Sequence, residues 1–159
     1  MRLLLAVSAA ALAACSGEDV AVPTTPGPVT PGTMNVTFAG GTVAAELAAR
    51  QSARETGLMN RTSIAADSGM IFLWAQDQLP LVAPFWMHNT HIDLSIAFLD
   101  SQKRVINIED MTKDTDTNHF ASAPYRYALE ARNGWFGTHG VVAGSLATFT
   151  IPAGVIIDP

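Results

Sequence analysis

Residues 84–99 read PFWMHNTHIDLSIAFL and decide how the middle of the chain folds. Bulky apolar and aromatic side chains come first, residues 88–93 are mostly polar, and the last six residues are apolar with one serine. Within this last part, Leu94, Ile96 and Phe98 recur at every second position, which is the period of a strand with a buried face. The stretch therefore predicts a strand, a polar turn and a second buried strand.

Trp86 decides which face of the first of these strands is buried. Successive side chains of a strand point to opposite faces, so Trp86 and Thr90 share one face while Phe85 and Met87 share the other. A tryptophan in a small domain more often packs in the core than stands in solvent, and we expect Trp86 to be buried. If Phe85 and Met87 fill the core instead, Trp86 is presented outward and can contact a ligand.

Other parts of the chain have the patterns of short strands. Five further segments alternate, or are continuously apolar, over strand-like lengths: residues 42–47, 69–74, 105–109, 125–131 and 146–151. The second of them, GMIFLW, is apolar at every position, which predicts a strand covered on both faces. A turn signal at residues 100–103 predicts that the strands on its two sides pair as a hairpin.

Helical signals are few and short. Ser52 and Glu55 have the spacing of a capping box, and Gly57 stands where such a helix would end. A second helical turn, closed by glycine, is predicted over residues 133–140. We therefore expect an α+β fold that is mainly β, with a compact barrel-like or sandwich-like antiparallel sheet and one or two short helices.

The beginning of the chain, MRLLLAVSAAALAAC, has the pattern of an export signal. Its apolar part is shorter than the roughly 20 residues that span a bilayer as a helix. Residues 12–15 resemble the lipobox of bacterial lipoproteins, in which the cysteine is acylated and becomes the new N-terminus. We predict a lipoprotein signal peptide at residues 1–14 and lipidation of Cys15. Because Ser16 and not an aspartate follows, we expect an exported lipoprotein in the outer membrane, facing the periplasm.

Residues 15–33 separate this signal from a single predicted domain at residues 34–159. Prolines, threonines and glycines dominate the segment after the cysteine, and proline lacks the N–H that helices and central strands need. The segment is therefore predicted to be a semi-extended tether. Cys15 is the chain's one cysteine, which excludes an internal disulfide.

Composition narrows the classes of partner. The chain has 9 basic and 14 acidic residues, for a net charge of −5, and contains no basic block. This balance argues against a nucleic-acid partner. The hydrophobic fraction of 48% predicts a packed core. No sequence motif indicates a cofactor, and none is predicted.

Several polar and aromatic side chains are candidates for ligand binding. Aromatic rings stack against ligands, while amides, hydroxyls and carboxylates form hydrogen bonds with them. The candidates are Trp86, His88, Asn89, Thr90, Asp93 and Glu130. The alternation of residues 125–131 places Glu130 on the outer, solvated face of its strand.

A hydrolytic or metal-dependent enzyme is the alternative. Such an enzyme would use Asp93, Glu109 or Glu130 together with a histidine. His88, His91 and Asp93 are also ligand types for zinc, but in a strand His88 and His91 point to opposite faces. We therefore predict no metal site and no catalytic residues.

Eight short blocks together resemble the DUF192 (UPF0127) proteins of bacteria and archaea. They are GLM (57–59), GMIF (69–72), FWMHNT (85–90), DL (93–94), FLD (98–100), YALE (127–130), GW (134–135) and HG (139–140). The resemblance covers roughly residues 34–151. It implies a small β-rich domain, often exported or membrane-attached, without a settled biochemical activity. Family members usually have lysine at the position of His88, which argues against an essential ligand there.

Together these observations predict a membrane-anchored envelope lipoprotein whose domain is a non-catalytic binding module. Its partners would be the lipid bilayer, through acylated Cys15, and an envelope glycan or a protein. The apolar loop LPLVAPF, residues 79–85, is a candidate surface for a protein partner.

Overall fold

The structure is a computed structural model that describes residues 32–159. The predicted signal peptide, Cys15 and the tether up to residue 31 lie outside the described residues. Among residues 32–159, no helix is long and apolar enough to cross a membrane.

Six strands and two short helices make up the described chain. They are β1 (Thr33–Phe38), β2 (Gly41–Ala48), α1 (Gln51–Thr56), β3 (Ser68–Gln78), β4 (Leu94–Leu99), β5 (Val105–Met111), β6 (Tyr125–Arg132) and α2 (Trp135–Thr138). The strands form one sheet in the order β1-β2-β3-β6-β4-β5. The predicted fold class is confirmed: the structure is mainly β and sandwich-like, although the sheet does not close into a barrel.

One pair of strands departs from the expected antiparallel pattern. β2 and β3 are parallel, with Ala44 opposite Ser68 and Ala48 opposite Phe72. A parallel pair needs a crossover connection, which here contains α1. The other four strand pairs are antiparallel.

The sheet separates two hydrophobic cores. Ile71, Leu73 and Leu129 belong to the first core, which also contains Trp135 and Phe136 from α2. The second core lies on the opposite face and includes Met70, Phe72, Met87, Ile96, Phe98, Tyr125 and Ala128. The central strands β3, β6 and β4 are thus buried on both faces, as the run of apolar residues 69–74 predicts.

The hairpin of β4 and β5 is confirmed. The Asp100 carboxylate accepts hydrogen bonds from the N–H groups of Gln102 (2.9 Å) and Arg104 (2.8 Å). Lys103 has a φ of 65°, in the left-handed region that closes the turn. The turn therefore fixes the register of the two strands.

The predicted capping box at the start of α1 is wrong. The N-cap residue is Arg50, and it forms no side-chain capping bond. The carboxylate of Asp158, far away in sequence, accepts the N–H of Gln51 at 3.0 Å and pairs with Arg50 at 3.2 Å. This N–H holds the pKa of Asp158 below its usual value. The end of the helix at Gly57, with a φ of 49°, agrees with the prediction.

The predicted strand at residues 146–151 is also wrong. Leu146 forms an isolated bridge with Arg104, next to β5, and Thr148 forms another with Thr37 of β1. The segment crosses from one outer strand to the other, so it makes single bridges to each and no continuous ladder. The helical turn predicted over residues 133–140 is confirmed by α2.

Gly69 offers a test of how closely β3 and β6 pack. A Cβ atom on Gly69 would overlap the main-chain oxygen of Glu130 and press on Val43. We expect Gly69→Ala to lower the free energy of unfolding by about 1–3 kcal/mol, as overpacking does. Denaturant unfolding measures the change. Gly137→Ala in α2 is the matched control, because a Cβ there meets nothing within 4 Å. Equal stability of the two variants would contradict the prediction.

Candidate functional site

Trp86 is exposed, so the expectation that it fills the core is wrong. Met87 is fully buried and Phe85 is partly buried, whereas 53% of Trp86 remains exposed. Since Phe85 and Met87 occupy the second core, the opposite face of the segment turns toward solvent. The Trp86 ring stacks on the His88 ring, with 5.4 Å between the centroids. This is the outward arrangement, in which the indole can contact a ligand.

A surface cavity of about 840 Å³ opens beside Trp86. Its aromatic walls are Phe72 and Trp74 from β3, Phe85 from the loop before β4, and Tyr125 at the start of β6. These rings pack edge to face, with centroid distances of 4.9 Å for Phe72–Phe85 and 5.2 Å for Trp74–Tyr125. Residues 51–59 form one lip and residues 83–86 form the other. A volume of this size accommodates a small organic molecule.

Arg54 lies at this cavity but is occupied by main-chain acceptors. Its guanidinium group is 5.4 Å from the centre of the Trp74 ring. It donates hydrogen bonds to the main-chain oxygens of Ala49 (2.9 Å), Leu73 (3.0 Å) and Asp158 (3.2 Å) and to that of Pro159 (2.9 Å). Arg54 therefore ties α1 to β3 and to residues 158–159.

Glu130 lines the same cavity and is buried, with 5% of its surface exposed. The prediction of a solvated position is wrong, because β6 lies in the middle of the sheet and Glu130 stands opposite Met70 and Ile96 of the second core. Its carboxyl group forms no hydrogen bond or ion pair with any residue of the described chain. Burial raises the pKa of Glu130 to about 8.

Tyr125 also lines the cavity and carries an unpartnered polar group. Its hydroxyl is buried and has no hydrogen-bond partner within residues 32–159. Burial raises the pKa of Tyr125 to about 12, although nearby Arg54 acts in the opposite direction. Tyr125 lies in the second core, and not with Tyr127 and Leu129 as the alternation predicts, because the β3–β6 register shifts between Leu73 and Gln78. The hydroxyl is closed off from the cavity, so the ring of Tyr125, and not its oxygen, forms part of the wall.

The structure brings three of the six candidate binding residues to the cavity. Trp86 stands at its rim, while Thr90 and Glu130 line it from buried positions. Thr90 is fixed by its main chain, which donates to the oxygen of Met87 (3.0 Å) and accepts from the N–H of Asp114 (3.1 Å).

The other three candidates do not line the cavity and have structural partners. His88 Nδ1 lies 2.9 Å from a carboxylate oxygen of Asp116. The carboxylate of Asp93 accepts the N–H of Lys113 at 2.8 Å. Asn89 adopts a φ of 54°, and its carbonyl accepts a hydrogen bond from the N–H of Asn60.

Residues that sequence reasoning missed complete the site. Arg54, Phe72 and Phe85 were not candidates, because their patterns indicate only a helix and buried strands. The fully apolar run around Phe72 indicated a strand with two covered faces. It did not indicate a cavity, because a cavity has no sequence pattern of its own. Asn118, from the loop before β6, also lines the site.

The histidines form separate carboxylate pairs. His91 Nδ1 lies 2.7 Å from Asp114, and His119 Nδ1 lies 2.8 Å from Glu109. The Nε2 atom of His119 is buried without a partner in the described part of the chain. Within residues 32–159, no group of three His, Cys, Asp or Glu side chains is placed to hold a metal ion.

Comparison with known proteins agrees with the resemblance of the sequence. The profile of the family DUF192, described as "Uncharacterized ACR", matches residues 34–149. The chain belongs to this family. A search of the curated proteins finds no match.

Two solved structures resemble this DUF192 protein. One is a protein of unknown function from Novosphingobium aromaticivorans, with 32% identity and a TM-score of 0.66, covering 73% of this chain and 83% of that chain. The other is a protein from Sinorhizobium meliloti that is provisionally named a transcription regulator, with 29% identity and a TM-score of 0.66. That match covers 74% of this chain and 92% of the other.

Glu130→Gln should remove a pH dependence from the stability of the protein. The native pKa of about 8 exceeds the ordinary value of 4.5, so between these values the native state holds a proton that the unfolded chain releases. The stability from this proton is complete below pH 4.5 and is lost as the pH rises through 8, by about 5 kcal/mol in total. Denaturant unfolding of the full-length protein across this range measures the loss.

Glu55→Gln is the matched control, because Glu55 also lines the cavity but is exposed. We expect the Glu55→Gln variant to lose stability with rising pH as the wild-type protein does. A Glu130→Gln variant with an unchanged decline would contradict the burial of an unpartnered carboxyl.

Proposed function

We propose that this DUF192 protein is an envelope lipoprotein whose domain binds a small organic ligand in the cavity between β3, β6 and α1. The observation that carries the proposal is the carboxyl group of Glu130, which lines an aromatic-walled cavity from a buried position and has no partner within residues 32–159. A buried polar group without a partner costs about 1–3 kcal/mol. A ligand that supplies the missing hydrogen bonds recovers part of this cost.

The same surroundings favour binding over catalysis. Hydrolysis by a carboxylate and a histidine needs both groups within reach of one substrate. Glu130 lines the cavity, but no histidine does. Asp93 is engaged with Lys113, and the Glu109–His119 pair belongs to β5 and the following loop. Asp93, Glu109 and Glu130, the carboxylates that a hydrolytic enzyme would use, thus lie in three different surroundings.

The envelope location rests on the beginning of the sequence. The lipobox-like residues at Cys15 and the proline-rich tether support a domain held near a bilayer, in the outer membrane and facing the periplasm. The net charge of −5 and the absence of a basic block argue against carrying the regulator name of the Sinorhizobium protein over to this chain.

A protein partner is the second candidate. In the apolar loop of residues 79–85, the side chains of Leu79, Leu81 and Val82 are 65%, 73% and 70% exposed. Neighbouring exposed apolar side chains of this size are typical of contact surfaces. This observation supports docking of an envelope protein on the loop.

A thermal-melt screen of the full-length protein tests the cavity proposal. The panel contains envelope glycan fragments, amines, amino acids and short-chain lipids, with divalent metals plus chelator as a separate arm. A ligand at 100 times its Kd adds roughly 2.7 kcal/mol to the native state, which raises the melting temperature. Trp86→Ala should reduce the shift, because Trp86 forms the rim.

His88→Ala is the control, since His88 stacks on Trp86 without lining the cavity. The shift should survive this substitution. If no compound raises the melting temperature, the cavity proposal is wrong and the protein-partner candidate takes its place. A metal-dependent rise that the chelator abolishes would favour the enzyme alternative.

The lipid anchor has its own test. In a Gram-negative host, we expect the full-length protein to fractionate with the outer membrane and to carry an acylated Cys15 in mass spectrometry. Cys15→Ser should abolish the modification and the membrane association. Ser16→Asp should keep the acylation but move the protein to the inner membrane. An unmodified Cys15 in the wild-type protein would contradict the anchor.

A further inference from the structure

The ligand class can be inferred from the charges around the cavity, and this inference rests on the proposed small-molecule site. Two formal negative charges and one positive charge line the cavity: Glu130 and Glu55 against Arg54. Arg54 directs its donors at four main-chain oxygens. Within residues 32–159, the cavity lining thus supplies a buried carboxyl group and no free cation to pair with it.

The two strands that flank Glu130 place no charged side chain directly opposite it. On its own face of the sheet, β3 presents Met70 and Phe72, and β4 presents Ile96 and Phe98. Desolvation is the cause of its raised pKa, with no contribution from a neighbouring charged group. The carboxyl group therefore has two ways to lower its energy, namely to keep a proton or to meet a cation that enters from outside.

The cavity walls also favour a cation. The faces of aromatic rings carry negative partial charge and attract organic cations, most strongly when water is excluded. Phe72, Trp74, Phe85 and Tyr125 line the cavity, and Trp86 adds a half-exposed indole at the rim.

We propose that the cavity binds an organic molecule through an ammonium group that pairs with the carboxylate of Glu130 between the aromatic walls. The cation replaces the proton of the carboxyl group, so one proton is released when the ligand binds. A neutral ligand would leave that proton in place.

Binding of a cation must therefore strengthen with pH. The other titratable or charged side chains that line the cavity are Arg54 and Glu55 from α1 and Tyr125 from β6, and no histidine is among them. Tyr125, with a pKa of about 12, keeps its proton between pH 7 and 9. Glu130 is then the group in the lining that titrates in this range.

The experiment compares two probes of nearly equal shape, phenethylamine and 2-phenylethanol, on the full-length protein. The first is a cation up to about pH 9, as aliphatic amines are, and the second is neutral. Changes in NMR shifts or in the fluorescence of Trp74 and Trp86 report binding. We expect phenethylamine to bind about tenfold more tightly at pH 9 than at pH 7, as a carboxyl pKa of about 8 requires. The affinity of 2-phenylethanol should not change.

Glu130→Gln separates the charge from the shape of the site. Glutamine retains the size of the side chain, so this variant should bind both probes equally and without pH dependence. Asp77→Asn, at an exposed carboxylate outside the cavity lining, should behave as the wild type. Calorimetry in buffers of different ionisation heat adds a second measurement on the wild-type protein, which should release one proton per phenethylamine bound near pH 7.

Two results would overturn the proposal. If the wild-type protein bound both probes equally and without pH dependence, the ammonium part of the proposal would be wrong, but the small-molecule site would stand. Binding of neither probe would also reject the ammonium ligand. If the wider thermal-melt panel then has no effect either, the proposed function fails with it.

Discussion

The central position of β6 in the sheet is the constraint on which the rest of the structure depends. β6 pairs with β3 on one side and β4 on the other, so residues 128–131 are buried on alternate faces. Ala128, Leu129 and Ala131 pack in the two cores, but the fourth residue is Glu130. An acidic side chain in this place needs either a proton or a cation, and the cavity above it is the route by which either arrives.

The wall opposite the sheet depends on residues that are distant in sequence. α1 contains six residues, too few for a stable isolated helix, and has no side-chain cap of its own. Asp158 supplies the missing acceptor at Gln51, and Arg54 binds main-chain oxygens of β3 and residues 158–159. These contacts hold the lip of the cavity against the aromatic wall.

Sequence patterns predict most of the local elements, although the first strand predicted within residues 84–99 and the strand at 146–151 form only isolated bridges. Alternation and turn chemistry suffice for the β4–β5 hairpin, and Gly57 suffices for the end of α1. The errors concern long-range placement. Glu130 alternates like a surface residue, and only the strand order shows that both faces of β6 are covered. The cap of α1 comes from 107 residues away in the chain, beyond any motif.

The candidate site was predicted only in part for the same reason. Trp86, Thr90 and Glu130 meet at the cavity because β6 lies in the middle of the sheet and the loop before β4 packs against the same face of the sheet. His88, Asn89 and Asp93 are residue types that could bind a ligand, but they form hydrogen bonds with the loops around them instead. The residue types therefore identify candidate binding residues, whereas the topology of the sheet decides which candidates line the same cavity.

The two candidate surfaces are physically connected, which bears on how the protein would work. Residues 79–82 form the exposed apolar part of a loop that continues directly into the cavity lining at Ala83, Pro84, Phe85 and Trp86. Leu81 has a φ of 64°, a conformation that a leucine rarely adopts. A partner that covers Leu81 and Val82 would therefore lie directly beside the lip of the cavity, because Val82 is bonded to Ala83. Ligand binding and partner docking, if both occur, would involve the same loop.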